Sequence, residues 1–491
     1  MKKVIGAMML LSLILCLIIN ASSEEIPDIP VTAPDDIDDN NIYGYRYADF
    51  DDLQHWTLTK ITDSINGVAI YNKVSVLPVG ETSEFAAAVY STNMYHNGQN
   101  GYTWSITSGS QYASINATTG VLTAVAPGSV TVKATYKYTT WYATYTLLIV
   151  PIPDGTYFFR NVEYDDKYMQ INQNVSSDTD GAHMEIFSFD SGADQRWNVT
   201  HIGSGYYKII SYVSGYALTA PSQNNESITQ TEYDSSNNAQ KWIVTIVGDG
   251  SYKLSPLSDT SSYMAVSGSW GGENGRNVEK RVDLSDGKDE WTLLRIGAIN
   301  DVELEGQEMT EWCWAASARM FAKNYYPQLS ATQEECVIKI KNGLVNDPGN
   351  ILETEEAIYF YTESVVNATM ELYVTTNAVY TEDTMQEFLR NNHVILIGRG
   401  QYDNISIPVM NGGHATLISG YMFIEEKCWF LMLDPWDGGS YCLLPYEQIV
   451  NGRTVINGVA YDQKVWNMSI VYETYYADNT IPYFFDNEDL Q

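Results

Sequence analysis

Cysteine is scarce in this chain, five in 491 residues, too few for a disulfide-built scaffold. Basic residues are few as well: 27 Lys and Arg face 61 Asp and Glu, for a formal net charge of −34. Such a surface repels nucleic acid and anionic lipid, so neither is expected as a partner. Beyond one N-terminal apolar stretch, no second run is long enough to span a bilayer, and no stable membrane insertion is expected. No wall-sorting signal closes the chain. No pair of His, Cys, Asp or Glu has ligand spacing with a second pair to match, so neither metal nor cofactor is expected. The length excludes a single core, and two to four domains are expected.

At the N-terminus, Lys2 and Lys3 precede an apolar stretch over residues 4–19, followed by Ala21, Ser22 and Ser23. This reads as a secretory signal peptide, residues 1–23, cleaved after Ser23. Cys16 follows Leu13, Ile14 and Leu15 and lacks the small neighbours of a lipid-attachment site. The mature protein is expected to be soluble, secreted or held at the cell surface; an uncleaved N-terminal anchor is the alternative. Losing Lys2 and Lys3 takes the net charge from −34 to −36. Residues 24–60 are acidic and punctuated by proline, and read as a disordered arm rather than a calcium site. A second acidic tail closes the chain over residues 476–491.

The chemistry-bearing pattern begins at Q-E-M-T-E-W-C-W-A-A-S, where Gln307 stands six residues before Cys313. The run after the thiol reads as helix. A cysteine entering a helix N-terminus feels the positive end of the dipole, which favours the attacking thiolate. A nearby glutamine amide can donate to an oxyanion. The candidate base is His414 in N-G-G-H-A-T-L-I-S-G-Y, at a strand whose entrance Gly412 and Gly413 keep narrow. The candidate orienting group is Asp434 in L-D-P-W, which fixes the imidazole tautomer. Trp436 is expected to lie over that hydrogen bond and keep water off it. Against these stand plainer readings: Cys313 as a buried apolar residue, His414 as a core histidine, and Asp434 as a turn opener. His393, before an apolar strand without glycine clearance, is the rival base and reads as structural.

W-C-W-A-A preceded by Gln307, then G-H-A with a following G-Y, then D-P-W, resemble the papain-like cysteine peptidases. The similarity is to their compact bacterial branch, which holds peptidase C39-like bacteriocin-leader peptidases and plant-pathogen effector proteases. It covers residues 298–475. The resemblance implies an α+β catalytic domain with nucleophile Cys313, general base His414, orienting Asp434 and oxyanion donor Gln307. Papain has Asn where Asp434 stands. Helices are expected to carry Cys313 and to cover residues 332–342 and 382–391. Strands are expected over 393–398, 415–421, 428–433 and 465–472. If Cys313 stays free, Cys428 and Cys442, flanking an expected hairpin, are the natural disulfide pair among the rest, which include Cys336.

Upstream, residues 61–150 alternate in short strands separated by turn clusters, the spacing of a β-sandwich. Trp104 and I-N-A-T-T-G-V-L-T-A-V-A-P-G-S-V-T-V-K-A resemble bacterial Ig-like modules. In that pattern Gly120 and Gly128 make turns, while Val121, Val125, Val130 and Val132 point inward. Residues 151–297 repeat internally. Three units open at G-T-Y-F-F, G-Y-Y-K-I and G-S-Y-K-L and close at D-Q-R-W-N-V, A-Q-K-W-I-V and D-E-W-T-L-L. They resemble the ricin-type β-trefoil, which implies that Trp197, Trp242 and Trp291 pack near its pseudo-threefold axis. The third signature is read as having Glu290 in place of Gln. The family binds carbohydrate, but none of Y-M-Q-I, Y-A-L-T and Y-M-A-V supplies its usual Asp.

The expected whole is multidomain: β-sandwich, β-trefoil and papain-like catalytic domain. Its expected role is a secreted cysteine peptidase acting on a protein or peptide substrate, with accessory modules for spacing or glycan binding. Two alternatives stay open. One is a surface adhesion protein with an inactive peptidase-like domain; the other is a thiol-dependent amidase or acyltransferase, which would use the same four residues.

Overall fold

The computed structural model describes residues 65–472 apart from 92–94, 98–100, 139, 249, 269–270, 283–285, 366–369, 377, 403–409, 425–426, 452–453, 457–458 and 462–464, together with strands Ile42–Tyr45, Leu58–Ile61 and Phe485–Asp486. The expected signal peptide lies outside the described residues, as do most of the acidic arm and the acidic tail. The described part of the arm departs from the disorder its charge implies. Its I-Y-G-Y and L-T-K-I segments pair antiparallel, rich in strand-forming residues unlike the Asp-rich stretches around them.

The sandwich is built on a four-stranded sheet. Val76–Pro78 pairs with β3 (Tyr142–Val150), which pairs with β2 (Gly128–Tyr136), which pairs with β1 (Tyr102–Ser108). Phe85, Trp104, Leu122, Val130, Val132 and Leu147 fill its core. Gly120 sits at φ +75°, with a Cβ position 2.8 Å from the Trp104 indole, so no side chain fits there. Two inward expectations fail. In strand Val121–Ala124, Leu122 and Ala124 take the core face, and alternation turns Val121 outward. Val125, just beyond, is 59% exposed.

The trefoil is a closed six-stranded barrel: β4 (Gly155–Asn161), β5 (Trp197–His201), β6 (Tyr206–Ser211), β7 (Trp242–Gly248), β8 (Ser251–Pro256) and β9 (Trp291–Ile299). Each strand pairs with the next, and β9 closes back on β4. Trp197, Trp242 and Trp291 are fully buried. Their indole N–H groups donate to Met169, Leu218 and Met264 carbonyls at 3.2, 3.0 and 2.9 Å, one bond per repeat. The third signature needs correction. Gln195 and Gln240 stand two residues before their tryptophans, so the counterpart in the third unit is Asp289, not Glu290. Asp289 is fully buried and bridges Lys253 at 3.0 Å.

The C-terminal domain packs helices on a sheet. Its longer helices are α1 (Cys313–Tyr325), α2 (Gln333–Lys341), α3 (Ile351–Glu363) and α4 (Glu382–Arg390), with a short one at Tyr446–Asn451. Its sheet comprises β10 (Leu372–Thr376), β11 (Ile395–Tyr402), β12 (Met410–Ile424), β13 (Lys427–Asp434), β14 (Ser440–Pro445) and β15 (Val465–Tyr472). β12 is central, flanked by β11 and β13. The β9 strand runs on from the barrel across the expected 297/298 junction and pairs with β12, Arg295 to Phe423 and Ile299 to Gly420. Phe158, Tyr168 and Leu294 of the trefoil share one core with Trp312, Trp314, Met320 and Phe321. The two domains are therefore fused through both backbone and side chains.

The Cys428–Cys442 pairing does not form; both thiols are free. β13 and β14 make the expected hairpin, but its register sets Cys442 opposite Met432. Cys428 lies four residues further along, about 13 Å at ~3.3 Å per residue, beyond the reach of a disulfide.

Candidate functional site

The N-terminus of α1 and the middle of the sheet meet at Cys313. Cys313 is the first residue of α1, and no side chain caps that helix end. The N–H groups of its first turn therefore point free of the helix toward whatever sits at the sulfur. α1 packs on β12 and hydrogen-bonds it at one residue, Ala415. The Ala415 N–H donates to Cys313 Sγ at 3.5 Å, and the Ala415 carbonyl accepts from buried Ser317 Oγ at 3.0 Å. Cys313 and Ser317 lie one turn apart on the same helix face, so a single β12 residue fixes both the height and the rotation of the thiol.

His414 precedes Ala415 and is buried. Its Nε2 lies 2.6 Å from Asp434 Oδ1, and the Cys313 thiol is close enough to act on its charge. Burial opposes the charged imidazole, but the Asp434 carboxylate and then the Cys313 sulfur outweigh it, and the His414 pKa is raised. Asp434 shows the complement. Burial alone would raise its pKa, yet the His414 bond, the His414 charge, the Trp436 N–H and the Arg399 charge together lower it. The Trp436 N–H donates to the same Asp434 oxygen at 2.9 Å. The Trp436 ring stands edge-on to His414, centroids 6.2 Å apart, and is itself 54% exposed. It flanks the His414–Asp434 bond on the solvent side.

Gln307 sits beside this corner, its backbone N–H donating to the Pro435 carbonyl at 2.8 Å. Its side-chain amide does not point into open space. Nε2 donates to Met309 and Thr310 carbonyls at 2.9 and 2.7 Å, and Oε1 is buried without a partner among the described residues. Donation to an oxyanion thus requires exchanging one of those loop bonds. His393 lies elsewhere. Its ring is next to Tyr325 at the far end of α1, about 18 Å from Cys313 at ~1.5 Å per residue, and burial lowers its pKa.

Several contributors were not legible beforehand. Buried Gln333 of α2 clamps the Gln307 segment, donating to the Gly306 carbonyl at 2.9 Å and accepting from the Glu308 N–H at 3.1 Å. Gly306 lies so close to the turn after Trp436 that a Cβ would fall 2.5 Å from the Gly438 backbone. Buried Arg399 stands opposite His414 in the β11–β12 register. The turn itself was readable: D-G-G places Asp437, Gly438 and Gly439 at φ of 51, 85 and 97°. Nothing in the sequence singles out Gln333 or Arg399. Among the described residues, no group of three or more His, Cys, Asp or Glu is arranged to hold a metal ion.

Comparison with known proteins yields three family matches in chain order. Residues 64–146 match the bacterial Ig-like domain (group 2), 193–281 the ricin-type β-trefoil lectin domain-like family, and 298–446 the papain-like cysteine protease AvrRpt2. No curated protein matches. Similar solved structures include the designed threefold-symmetric protein ThreeFoil (26% identity, 28% of this chain and 98% of that one, TM-score 0.26). The Macrolepiota procera ricin B-like lectin in complex with lactose is 16% identical over 29% of this chain and 96% of its own, with a TM-score of 0.24. The Polyporus squamosus lectin bound to a human-type influenza-binding epitope is 12% identical over 60% and 98%, with a TM-score of 0.27. The chain thus joins, in order, an Ig-like module, a ricin-type β-trefoil and an α+β domain of the papain-like cysteine protease type.

Proposed function

We propose that the C-terminal domain hydrolyses peptide bonds through a Cys313–His414–Asp434 triad, in a protein exported from the cell that made it. The observation that carries this reading is His414, held between an ionised carboxylate and a thiol at an uncapped helix N-terminus. His414 and Cys313 act as an imidazolium–thiolate pair, and the sulfur attacks the substrate carbonyl carbon. The developing oxyanion takes the Cys313 backbone N–H and one amide hydrogen of Gln307, released from its loop carbonyl. Hydrogen bonds of this kind commonly form only in the substrate complex. His414 then protonates the leaving amine, and water attacks the thioester to free the acid. Glycans are the proposed ligands of the trefoil.

The test is cleavage of an unbiased peptide mixture by the reduced protein, read by mass spectrometry beside Cys313→Ala. Cleavage that vanishes in the variant supports the peptidase; identical product patterns defeat it. Gln307→Ala is expected to lower kcat by about 10²–10³, as loss of one oxyanion donor does. Full activity in that variant would remove Gln307 from the mechanism.

A further inference from the structure

Acidic residues are distributed unevenly. No Asp or Glu occurs between Glu84 and Asp154, although the chain holds 61. That stretch includes most of the sandwich and two lysines, Lys133 on β2 and Lys137 just beyond it. A stretch without carboxylates lacks the charges that repel a polyanion from the rest of this acidic chain.

Among the described residues, that stretch exposes aromatic rings at the hairpin tip joining β2 and β3. Tyr138, Trp141 and Tyr142 are 57, 44 and 57% exposed. The tip is closed by the Tyr136 N–H donating to the Trp141 carbonyl at 3.0 Å, and tied to β1 by the Lys137 N–H donating to Gly101 at 2.9 Å. Its rings have firm backing. Tyr138 stands edge-on to Tyr136 at 5.3 Å, and Tyr136 rests on buried Tyr102 at 5.5 Å. The Lys133 ammonium lies over the Tyr142 ring, 4.1 Å from its centroid. Next to the rings, register places Thr103, Ser105, Thr135 and Thr144 on the outward face around Lys133. Their hydroxyls both donate and accept. The opposite end of the sandwich is used, since Val76, Leu148, Val150 and Ile152 pack into the trefoil core.

We propose that this tip is a binding site for an anionic polysaccharide. The rings stack on sugar faces, the surrounding hydroxyls meet sugar hydroxyls, and Lys133 and Lys137 supply the positive potential for uronate or similar acidic groups. Exposed rings beside a hydroxyl-lined strand face suit a sugar chain better than an apolar protein partner, which would want a groove. The site lies at the far end of the sandwich from the trefoil, so binding there leaves the catalytic domain free.

The experiment is chromatography of the full-length protein on immobilised polygalacturonate, dextran and double-stranded DNA, eluted with a salt gradient. Retention on polygalacturonate alone, released as salt rises, is expected. The combined Tyr138→Ser, Trp141→Ser and Tyr142→Ser variant should bind about tenfold more weakly or worse. Lys133→Gln with Lys137→Gln should elute at lower salt. Neither set touches the trefoil or the thiol, so the melting of residues 155–472 and peptide cleavage should stay unchanged, which separates this outcome from failure of the peptidase reading. Absence of retention, undiminished retention of the ring variant, or equal retention on dextran or DNA would overturn the proposal.

Discussion

The bond from His414 Nε2 to Asp434 leaves Nδ1 as the nitrogen available to the Cys313 sulfur. It also ties the site to pH with two opposite signs. The Asp434 pKa is lowered on folding, so its stabilisation is present above the ordinary carboxylate range and lost as pH falls through the lowered value. The His414 pKa is raised, so its stabilisation is complete below the ordinary imidazole range and lost as pH rises through the raised value. The pair is at full strength between those two limits. In the proposed mechanism the alkaline limb of kcat/KM reports loss of the imidazolium proton. Asp434→Asn removes the carboxylate charge that raises the His414 pKa, so that limb should move to lower pH. An unmoved limb, with activity retained, would mean Asp434 has no electrostatic part in the chemistry. Cys313, His414 and Asp434 were legible because each carries a local signature: a thiol before a helical run, glycines before a histidine, an acid ending an apolar strand. The spent amide of Gln307 was not, because its partners are its own loop carbonyls.

At the scale of elements, the site is a junction of four segments: α1, β12, the end of β13 with the turn after it, and the loop over residues 303–312. Arg319 of α1 pairs with Glu305 and donates to the Ala331 carbonyl at 2.6 Å, while Gln333 clamps the loop from α2. The tightest point is Gly306 against Gly438. Gly306→Ala would press a methyl into backbone that cannot move aside like a side chain, at an expected cost of about 1–3 kcal/mol. Separation of the Gln307 segment from the Asp434 corner should lower kcat as well; denaturant unfolding with steady-state kinetics checks both. The helix α3 escaped the sequence reading although Asn350 and Glu353 form a capping box. Its buried positions include Thr354, Tyr361 and Thr362, strand-favouring residues that blur helical periodicity. The strand β14 was legible as half of a hairpin, but register was not, which is why the expected disulfide fails. A turn of known length fixes register; here the two strands are joined through a proline, a 3₁₀ turn and two positive-φ glycines.

Across the whole molecule, the trefoil and the catalytic domain share a strand and a core. Arg196 of the trefoil pairs with Asp301, Phe189 packs edge-on to Tyr441 at 5.4 Å, and Arg295 lies 4.4 Å over Phe423. Tyr441 neighbours Ser440, the β14 partner of Asp434. Thermal unfolding should therefore melt residues 155–472 in one transition, followed by calorimetry on the full chain. Phe158→Ala, which hollows the shared core, should lower that transition by about 3–5 kcal/mol of stability and weaken peptide cleavage too. Two separate transitions, with only the first sensitive to the variant, would show independent domains. The repeat and the domain order were plain in the sequence because tryptophans and turns recur; the fusion was not, because a strand shared by two domains looks like any other. Its consequence is a limit on modularity. A gene rearrangement that lifted out the catalytic segment at residue 298 would leave the barrel pairings of β9 behind and strip the histidine-bearing sheet of the Arg295 and Ile296 partners of Phe423 and Met422. The inheritable cassette is the trefoil and the catalytic domain together, and exchanging the sandwich would uncover the trefoil-core contacts of Val76, Leu148 and Val150.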